Sequence, residues 1–167
     1  MLPVNSQTID LRSAIASFRV NASMASADEA LHLPNWRDQD WAQLFQFTSV
    51  RTVNSGNALI QQGEPDRTLY FVIRGTLEII VRSNDGVSMG SVAQVKAGSV
   101  LGELAFFDSG PRSAGSWAVG QCDVAAMTPD QYVAFEQSNP ALARDLLFAL
   151  GRILAKRLRR TNARAVG

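Results

Sequence analysis

The residues best suited to binding chemistry lie between positions 102 and 114, in the sequence GELAFFDSGPRSA. Arg112 carries a planar guanidinium, which can hold a phosphate through parallel hydrogen-bond donors. The backbone amides of Leu104 and Ala105, at the start of a predicted short helix, add a partial positive charge toward the same anion. The carboxylate of Glu103 would repel a phosphate and therefore suits a neutral hydroxyl. The segment predicts a site that holds a sugar at one end and a phosphate at the other.

A glycine and a serine complete this predicted site. Gly102 lets the backbone approach a ligand closely, and Ser113 can donate both its hydroxyl and its backbone amide to the phosphate. Structural roles for the charged residues stay open. Glu103 could be a surface carboxylate or could pair with Arg112 in the empty protein. Arg112 could instead form a structural salt bridge to Glu103 or Asp108.

The elements that must position these residues are short strands. Between residues 49 and 128, runs of β-branched and aromatic residues alternate with turn residues, a pattern typical of an all-β sandwich or barrel. Asn84, Asp85 and Gly86 predict a tight hairpin turn, because Asp and Gly tolerate positive φ angles. The predicted strands are 49–54, 58–62, 69–73, 76–82, 88–95, 115–120 and 123–128.

Helical patterns flank the strands on both sides. Residues 1–35 form an N-terminal flank with a weak helical pattern, and residues 38–47 predict a better helix. After the strands, residues 129–160 predict two helices, the longer of which carries an apolar stripe. Residues 161–167 are expected to be a tail.

Composition limits the class of protein. A chain of 167 residues with 46% hydrophobic residues can bury one proper core. Cys122 is the sole cysteine, so no disulfide within the chain is expected. The apolar runs are too short to cross a bilayer and the first 25 residues lack the pattern of a signal peptide. We therefore expect a cytoplasmic protein without a membrane partner.

Catalytic chemistry finds little support in the sequence. His32 is the only histidine, so neither a histidine-rich metal site nor a nucleophile activated by histidine is expected. We predict a binding protein with no metal and no cofactor, and not an enzyme. Seven bases against two acids follow residue 130. The cluster at 156–160 places cations at a helix C-terminus, although non-specific contact with nucleic acid phosphates is the alternative.

The segment 102–114 resembles the phosphate-binding cassette of the cyclic nucleotide-binding domain family, in which GELA, a short spacer and PRSA follow one another. Further landmarks match the early strands of that family, and together they cover residues 36–160. The resemblance implies a mainly β fold with flanking helices (α+β). This is an eight-stranded antiparallel β-roll over about 49–128, jelly-roll-like, followed by a C-terminal helix pair over about 129–160. The landmarks are Gly56, Ile60, Gly63, Glu64, the strand 70–75 and Gly98.

The resemblance also implies a role for each cassette residue. Glu103 would accept hydrogen bonds from the ribose 2′-hydroxyl, and Arg112 would neutralise the cyclic phosphate. Ser113 implies cAMP rather than cGMP as the ligand, because Thr at this position more often accompanies cGMP. The implied ligand contacts are Gly102, Glu103, Leu104, Ala105, Arg112, Ser113 and Ala114.

Relatives often cover the base with a residue of the last helix, which points here to Arg152 or Lys156, although a solvated helix face is an equal alternative. The long helix could move on ligand binding or pair with a second copy as a homodimer. An effector protein is expected as partner. Specific DNA binding is not expected, because the chain stops where relatives continue into a DNA-binding domain. A β-roll that serves protein interaction without binding nucleotide is the alternative function.

Overall fold

The computed structural model describes residues 10–25, 30–82 and 89–165. Within these residues the chain forms helices before and after a set of eight strands, with one short helix inserted after the sixth strand. The elements in order are α1 (Leu11–Met24), α2 (Asp38–Phe45), β1 (Ser49–Val53), β2 (Ala58–Ile60), β3 (Leu69–Arg74), β4 (Thr76–Arg82), β5 (Met89–Lys96), β6 (Val100–Leu101), α3 (Glu103–Asp108), β7 (Gly115–Ala118), β8 (Cys122–Met127), α4 (Pro129–Ser138) and α5 (Pro140–Ala165).

The strands form two four-stranded antiparallel sheets. One sheet has the order β1-β8-β3-β6 and the other β2-β7-β4-β5. This arrangement confirms the predicted eight-stranded β-roll with flanking helices. The predicted hairpin turn at Asn84, Asp85 and Gly86 lies outside the described residues.

Gly75 connects the two sheets between β3 and β4. Its φ is +90°, and a Cβ at this position would lie 2.6 Å from the Sγ of Cys122 and 2.7 Å from the carbonyl oxygen of Gln121. Both the backbone conformation and the close approach therefore require glycine. The turn lets the chain leave one sheet and enter the other within a single residue.

Strand β3 separates two hydrophobic clusters. Tyr70 and Val72 face the interior of the roll, whereas Leu69, Phe71 and Ile73 face the helices. Because both faces of the strand are buried, it is a continuous apolar run rather than an alternating one. A helical layer thereby covers one face of this strand, and the interior of the roll lies on the other face.

Helix α1 belongs to this helical layer. Asp10 caps it by accepting a hydrogen bond from the amide of Ser13 at 3.2 Å. Ile15 and Phe18 are buried, as their spacing predicts, and the ring of Phe18 lies 5.9 Å from that of Phe71. Residues 11–24 of the N-terminal flank thus contribute to the core. The rest of the flank includes 1–9 and 26–29, which lie outside the described residues.

Helices α4 and α5 follow the last strand. Thr128 accepts from the amide of Gln131 while the Gln131 side chain accepts from the Thr128 amide, a capping box that starts α4. In α5 most of the predicted stripe is buried, but Leu158 is 61% exposed. The helix also continues to Ala165, so residues 161–165 are helical where a tail was predicted. Within the part of the chain that is described, no helix is long and apolar enough to span a membrane.

Candidate functional site

Gly102 sets the geometry of the site where β6 passes into α3. Its φ is +86°, and a Cβ here would lie 2.6 Å from both Nη1 of Arg112 and the carbonyl oxygen of Thr68. Only glycine leaves room for the Arg112 side chain to pass beneath this turn. Glu103 immediately follows this turn. The conformation of Gly102 therefore brings the Glu103 carboxylate and the Arg112 guanidinium to the same cavity.

All seven residues predicted to contact the ligand line one cavity of about 240 Å³. The cavity has a polar end formed by the segment 102–114 and an apolar end formed by the inner faces of the strands. The apolar end was not predicted residue by residue. It is lined by Ile60, Ile79, Ala93, Val95 and Leu101.

Arg112 is 3% exposed and is held by four contacts at the polar end. Its Nη2 forms an ion pair with Asp66 and donates to the carbonyl of Thr68 at 2.7 Å. Its Nη1 donates to the carbonyl of Gly102 at 3.2 Å, and its guanidinium lies over the ring of Tyr70 at 5.6 Å. The Nε atom is buried and has no hydrogen-bond partner in the described chain. A buried N–H group without a partner is unfavourable, so this atom favours an anionic ligand that can accept its hydrogen bond.

Asp66 is a member of the site that the sequence prediction missed. The predicted alternatives for Arg112 were Glu103 and Asp108, but its ion-pair partner among the described residues is Asp66. The loop carrying Asp66 is tied to the cassette, because the amide of Arg112 donates to the carbonyl of Glu64 at 2.9 Å. This contact joins two segments more than forty residues apart and could not be predicted from either segment alone.

The pKa of the Asp66 carboxyl is lowered in this environment. Partial burial alone would raise the pKa, but the hydrogen bonds from Arg112 and Thr68, with the charge of Arg112, outweigh that effect. A carboxylate with a lowered pKa stabilises the fold at pH values above its ordinary pKa. That stabilisation is lost as the pH falls through the lower pKa of the folded state.

We expect Asp66→Asn to lower the melting temperature at pH 7 and to lose this effect in acid. Below about pH 4, the ordinary pKa of an aspartate, the unfolded wild-type chain takes up a proton before the folded protein does, so the difference in stability shrinks as the pH falls further toward the lowered pKa of the folded state. Melting curves of both proteins from pH 7 to pH 3 measure the difference, and the comparison removes the contribution of the other carboxylates. A difference that stays constant across this range would contradict the assigned ion pair.

Glu103 is the buried carboxylate of the site, at 5% exposure. It forms an ion pair with Nη1 of Arg157 in α5, and Nη2 of Arg157 donates to the carbonyl of Val100 at 3.0 Å. Arg157 is the direct link between the cassette and the C-terminal helix. The carboxylate that is predicted to bind a ribose is therefore also the residue that holds this helix.

The predicted base lid differs from the structure. Arg152 and Lys156 line a second cavity beside α1, together with His32. The residues of α5 that line the first cavity are Arg157 and Arg160. The reason is helical phase. Because each residue advances about 100° around the axis, Arg157 lies about 140° from Arg152 and about 100° from Lys156, so it lines the cavity at the cassette whereas they line the cavity beside α1.

The guanidinium groups of Arg112, Arg157 and Arg160 line the cavity, and those of Arg112 and Arg157 form ion pairs with Asp66 and Glu103. Among the residues that the structure describes, no cluster of His, Cys, Asp or Glu could hold a metal ion. The arrangement can bind a monoanion through Arg112 and a hydroxyl through Glu103.

Comparisons with known proteins agree with this geometry. The sequence pattern of the family described as cyclic nucleotide-binding domain matches residues 50–139. The cAMP-activated global transcriptional regulator of Salmonella typhimurium is 32% identical over 65% of this chain and 50% of its own length. The chain thus spans about half the length of such curated relatives.

Two solved structures extend the comparison. The N-terminal domain of a transcriptional regulator from Streptomyces coelicolor is 31% identical, with a TM-score of 0.63 over 77% of this chain and 89% of that one. A cyclic nucleotide-binding domain from Methylobacillus flagellatus is 19% identical and shows the same fold, with a TM-score of 0.79 over 93% of this chain and 84% of that one. The chain belongs to the cyclic nucleotide-binding domain family.

Proposed function

We propose that this protein is a cyclic nucleotide receptor that regulates a separate effector, and that cAMP is its ligand. The observation that carries the proposal is the placement of Glu103 and Arg112. Both are buried, both line one cavity, and each is held in position by a partner from a distant segment. No catalytic step is assigned to the site.

The cavity matches the three parts of a cyclic nucleotide. The phosphate carries a single negative charge, which the buried Arg112 can neutralise through its unpartnered Nε and the adjacent Ser113. The ribose 2′-hydroxyl would donate to Glu103. The base would occupy the apolar end beside Ile60 and Ile79, where burial of its faces is favourable.

Ser113 supports cAMP over cGMP, as does the name of the Salmonella relative. Isothermal titration of the purified protein with each nucleotide tests the proposal. We expect both to bind at the same site and cAMP to bind more tightly. If neither nucleotide binds at 100-fold excess over the protein, the proposed function is wrong; if cGMP binds more tightly, the assignment of cAMP is wrong.

The alternative function, protein interaction without a ligand, is less well supported by the contacts. Pairing of Glu103 with Arg112 in a nucleotide-free protein would favour this alternative. In the structure Glu103 pairs with Arg157 and Arg112 pairs with Asp66, which leaves the two predicted ligand groups side by side along the cavity. Pull-down of the effector with and without cAMP separates the two functions, since a plain interaction module would bind it equally in both.

Ligand binding would act on α5 through Glu103. A ribose hydroxyl at this carboxylate competes with Arg157, so the ligand favours a position of α5 in which the ion pair is altered. Such coupling requires that the ligand has different affinities for the two positions of the helix. We expect amide hydrogen exchange in Pro140–Ala165 to change when cAMP is added. Identical exchange with saturating ligand would exclude this coupling.

A second copy of the chain is proposed to pair along α5. Phe148, Gly151, Ala155 and Leu158 are spaced three, four and three residues apart, and all four are exposed. This is the spacing of a coiled-coil seam. Phe148 and Leu158 are 65% and 61% exposed, which is costly for large apolar side chains in a monomer.

We expect Phe148→Glu to convert a dimer to a monomer, because it replaces one of the two large apolar side chains of the seam with a charge. Light scattering coupled to size-exclusion chromatography measures the mass of both proteins, given a chain of 18.1 kDa. Val133→Glu, on the exposed surface of α4, is the matched control and should leave the mass unchanged. A wild-type protein that is monomeric at high micromolar concentration would contradict the proposed dimer.

A further inference from the structure

Ser116 is an unexplained polar group inside the ligand cavity. It lies on β7, where its cross-strand partners are Ile60 on β2 and Ile79 on β4. Directly paired residues place their side chains on the same face of a sheet, and all three residues line the cavity. Ser116 is 1% exposed, and its hydroxyl has no hydrogen-bond partner among the residues described.

A hydroxyl in this position has a cost that packing does not explain. Burial without a hydrogen bond is unfavourable, and the surrounding wall is formed by apolar side chains that offer no partner. The other buried polar side chains at the cavity, those of Glu103 and Arg112, form ion pairs, and the one unpartnered atom of Arg112, Nε, is assigned to the phosphate. Alanine would complete the wall at this position without that cost. The hydroxyl therefore indicates a partner that the ligand supplies.

The position of Ser116 along the chain indicates which part of the ligand supplies the partner of its hydroxyl. Arg112 and Ser113 lie at the polar end of the cavity, and Ser116 lies three residues further on, within about 10 Å at a strand rise of about 3.3 Å per residue. Its neighbours there are Ile60 and Ile79, which form the apolar end. A nucleotide held by its phosphate at Arg112 would direct its base toward this end.

We propose that Ser116 reads the base, with its hydroxyl forming a hydrogen bond to a polar edge atom of a purine. The inference rests on the proposed function, because it assumes a cyclic nucleotide in the cavity. A hydroxyl donates one hydrogen bond and accepts others, so it matches either the 6-amino group or the ring nitrogen N7 of adenine. Because a hydroxyl can also donate to O6 or N7 of guanine, this contact adds affinity and orientation for a purine in the apolar end and does not itself distinguish adenine from guanine.

Ser116→Ala, titrated with cAMP by calorimetry, tests the assignment. We expect the variant to bind cAMP about two- to tenfold more weakly, the effect of one neutral hydrogen bond. Its melting temperature without ligand should stay equal or rise, because an unpartnered hydroxyl has been removed from the interior. Ser99→Ala is the matched control, since Ser99 is also 1% exposed and unpartnered but does not line this cavity. It should leave the affinity unchanged.

Two analogues identify the atom that is contacted. Purine riboside 3′,5′-cyclic phosphate lacks the 6-amino group, and 7-deaza-cAMP lacks N7. We expect wild-type protein and Ser116→Ala to differ in their affinity for cAMP but to have equal affinity for one of these analogues. The atom that this analogue lacks is the one that Ser116 contacts. Equal affinities of the two proteins for cAMP would overturn the assignment of Ser116 while leaving the proposed function intact. A wild-type protein that binds none of these nucleotides would overturn both.

Discussion

Arg112→Ala is expected to lower the affinity for cAMP by at least about 100-fold. Two charge-assisted hydrogen bonds at about 1.5 kcal/mol each account for about 3 kcal/mol. The loss is large because Arg112 is 3% exposed, so water cannot replace it at the phosphate. The variant also leaves Asp66 without its ion-pair partner beside the phosphate, which adds a repulsive charge. Calorimetric titration of wild type and variant measures the change.

The controls separate binding from folding. Arg112→Lys keeps the charge but cannot reproduce the planar donors that contact Asp66, Thr68 and Gly102, so we expect an intermediate affinity. Arg74→Ala removes another arginine with a buried partner, Asp123, and this pair is outside the cavity. It should change stability but not affinity. A folded Arg112→Ala protein, judged by its melting curve, that binds cAMP as tightly as wild type would refute the proposed phosphate site.

Glu103→Gln is expected to weaken cAMP binding by about 10- to 100-fold. The substitution keeps the shape of the side chain but replaces a charged acceptor with a neutral one, and hydrogen bonds to charged groups contribute about 1.5–3 kcal/mol. Glu103 is 5% exposed, so its hydrogen bonds form in a weakly polar environment in which charge matters more. Affinity is again measured by titration.

A ligand without the hydroxyl is the matched control for Glu103. We expect wild type and Glu103→Gln to bind 2′-deoxy-cAMP with similar affinity, since the contact that distinguishes them is absent from this ligand. An effect of losing the ion pair between Glu103 and Arg157 would appear as weaker binding of 2′-deoxy-cAMP as well, so the comparison distinguishes it from loss of the ribose contact. If Glu103→Gln weakens both nucleotides by the same factor, the carboxylate acts through α5 and not through the ribose.

Local signals in the chain were sufficient to predict most of the strands, and the resemblance to the family implied their arrangement as a β-roll. Turn residues such as Gly75 and Gly98 separate apolar runs, and both have φ angles near +90° that glycine alone adopts readily. The structure accordingly has strands within one or two residues of nearly every predicted bound. The strand β6, Val100–Leu101, is too short to have a pattern of its own and was indicated by the resemblance to the family alone.

Helix α1 is better formed in the structure than its sequence predicts. Its serines, asparagines and alanines give little helix-forming tendency, and the apolar pattern has few members. The helix is nevertheless anchored, because Phe18 contacts Trp41, Phe45 and Phe71 in the core. Contacts from distant segments stabilise it, and these are not readable from residues 11–24 alone.

The sequence was sufficient to predict a set of candidate ligand residues that lie together, because the segment 102–114 is contiguous and its chemistry is local. The tertiary structure alone decided their partners. Asp66 reaches Arg112 across 46 positions and Arg157 reaches Glu103 across 54 positions, both through the packing of the roll and its helices. It also decided the face of α5 that meets the cavity and placed Ser116 in the apolar wall. Contiguous residues meet whatever the fold, whereas distant residues meet only when the whole chain has packed.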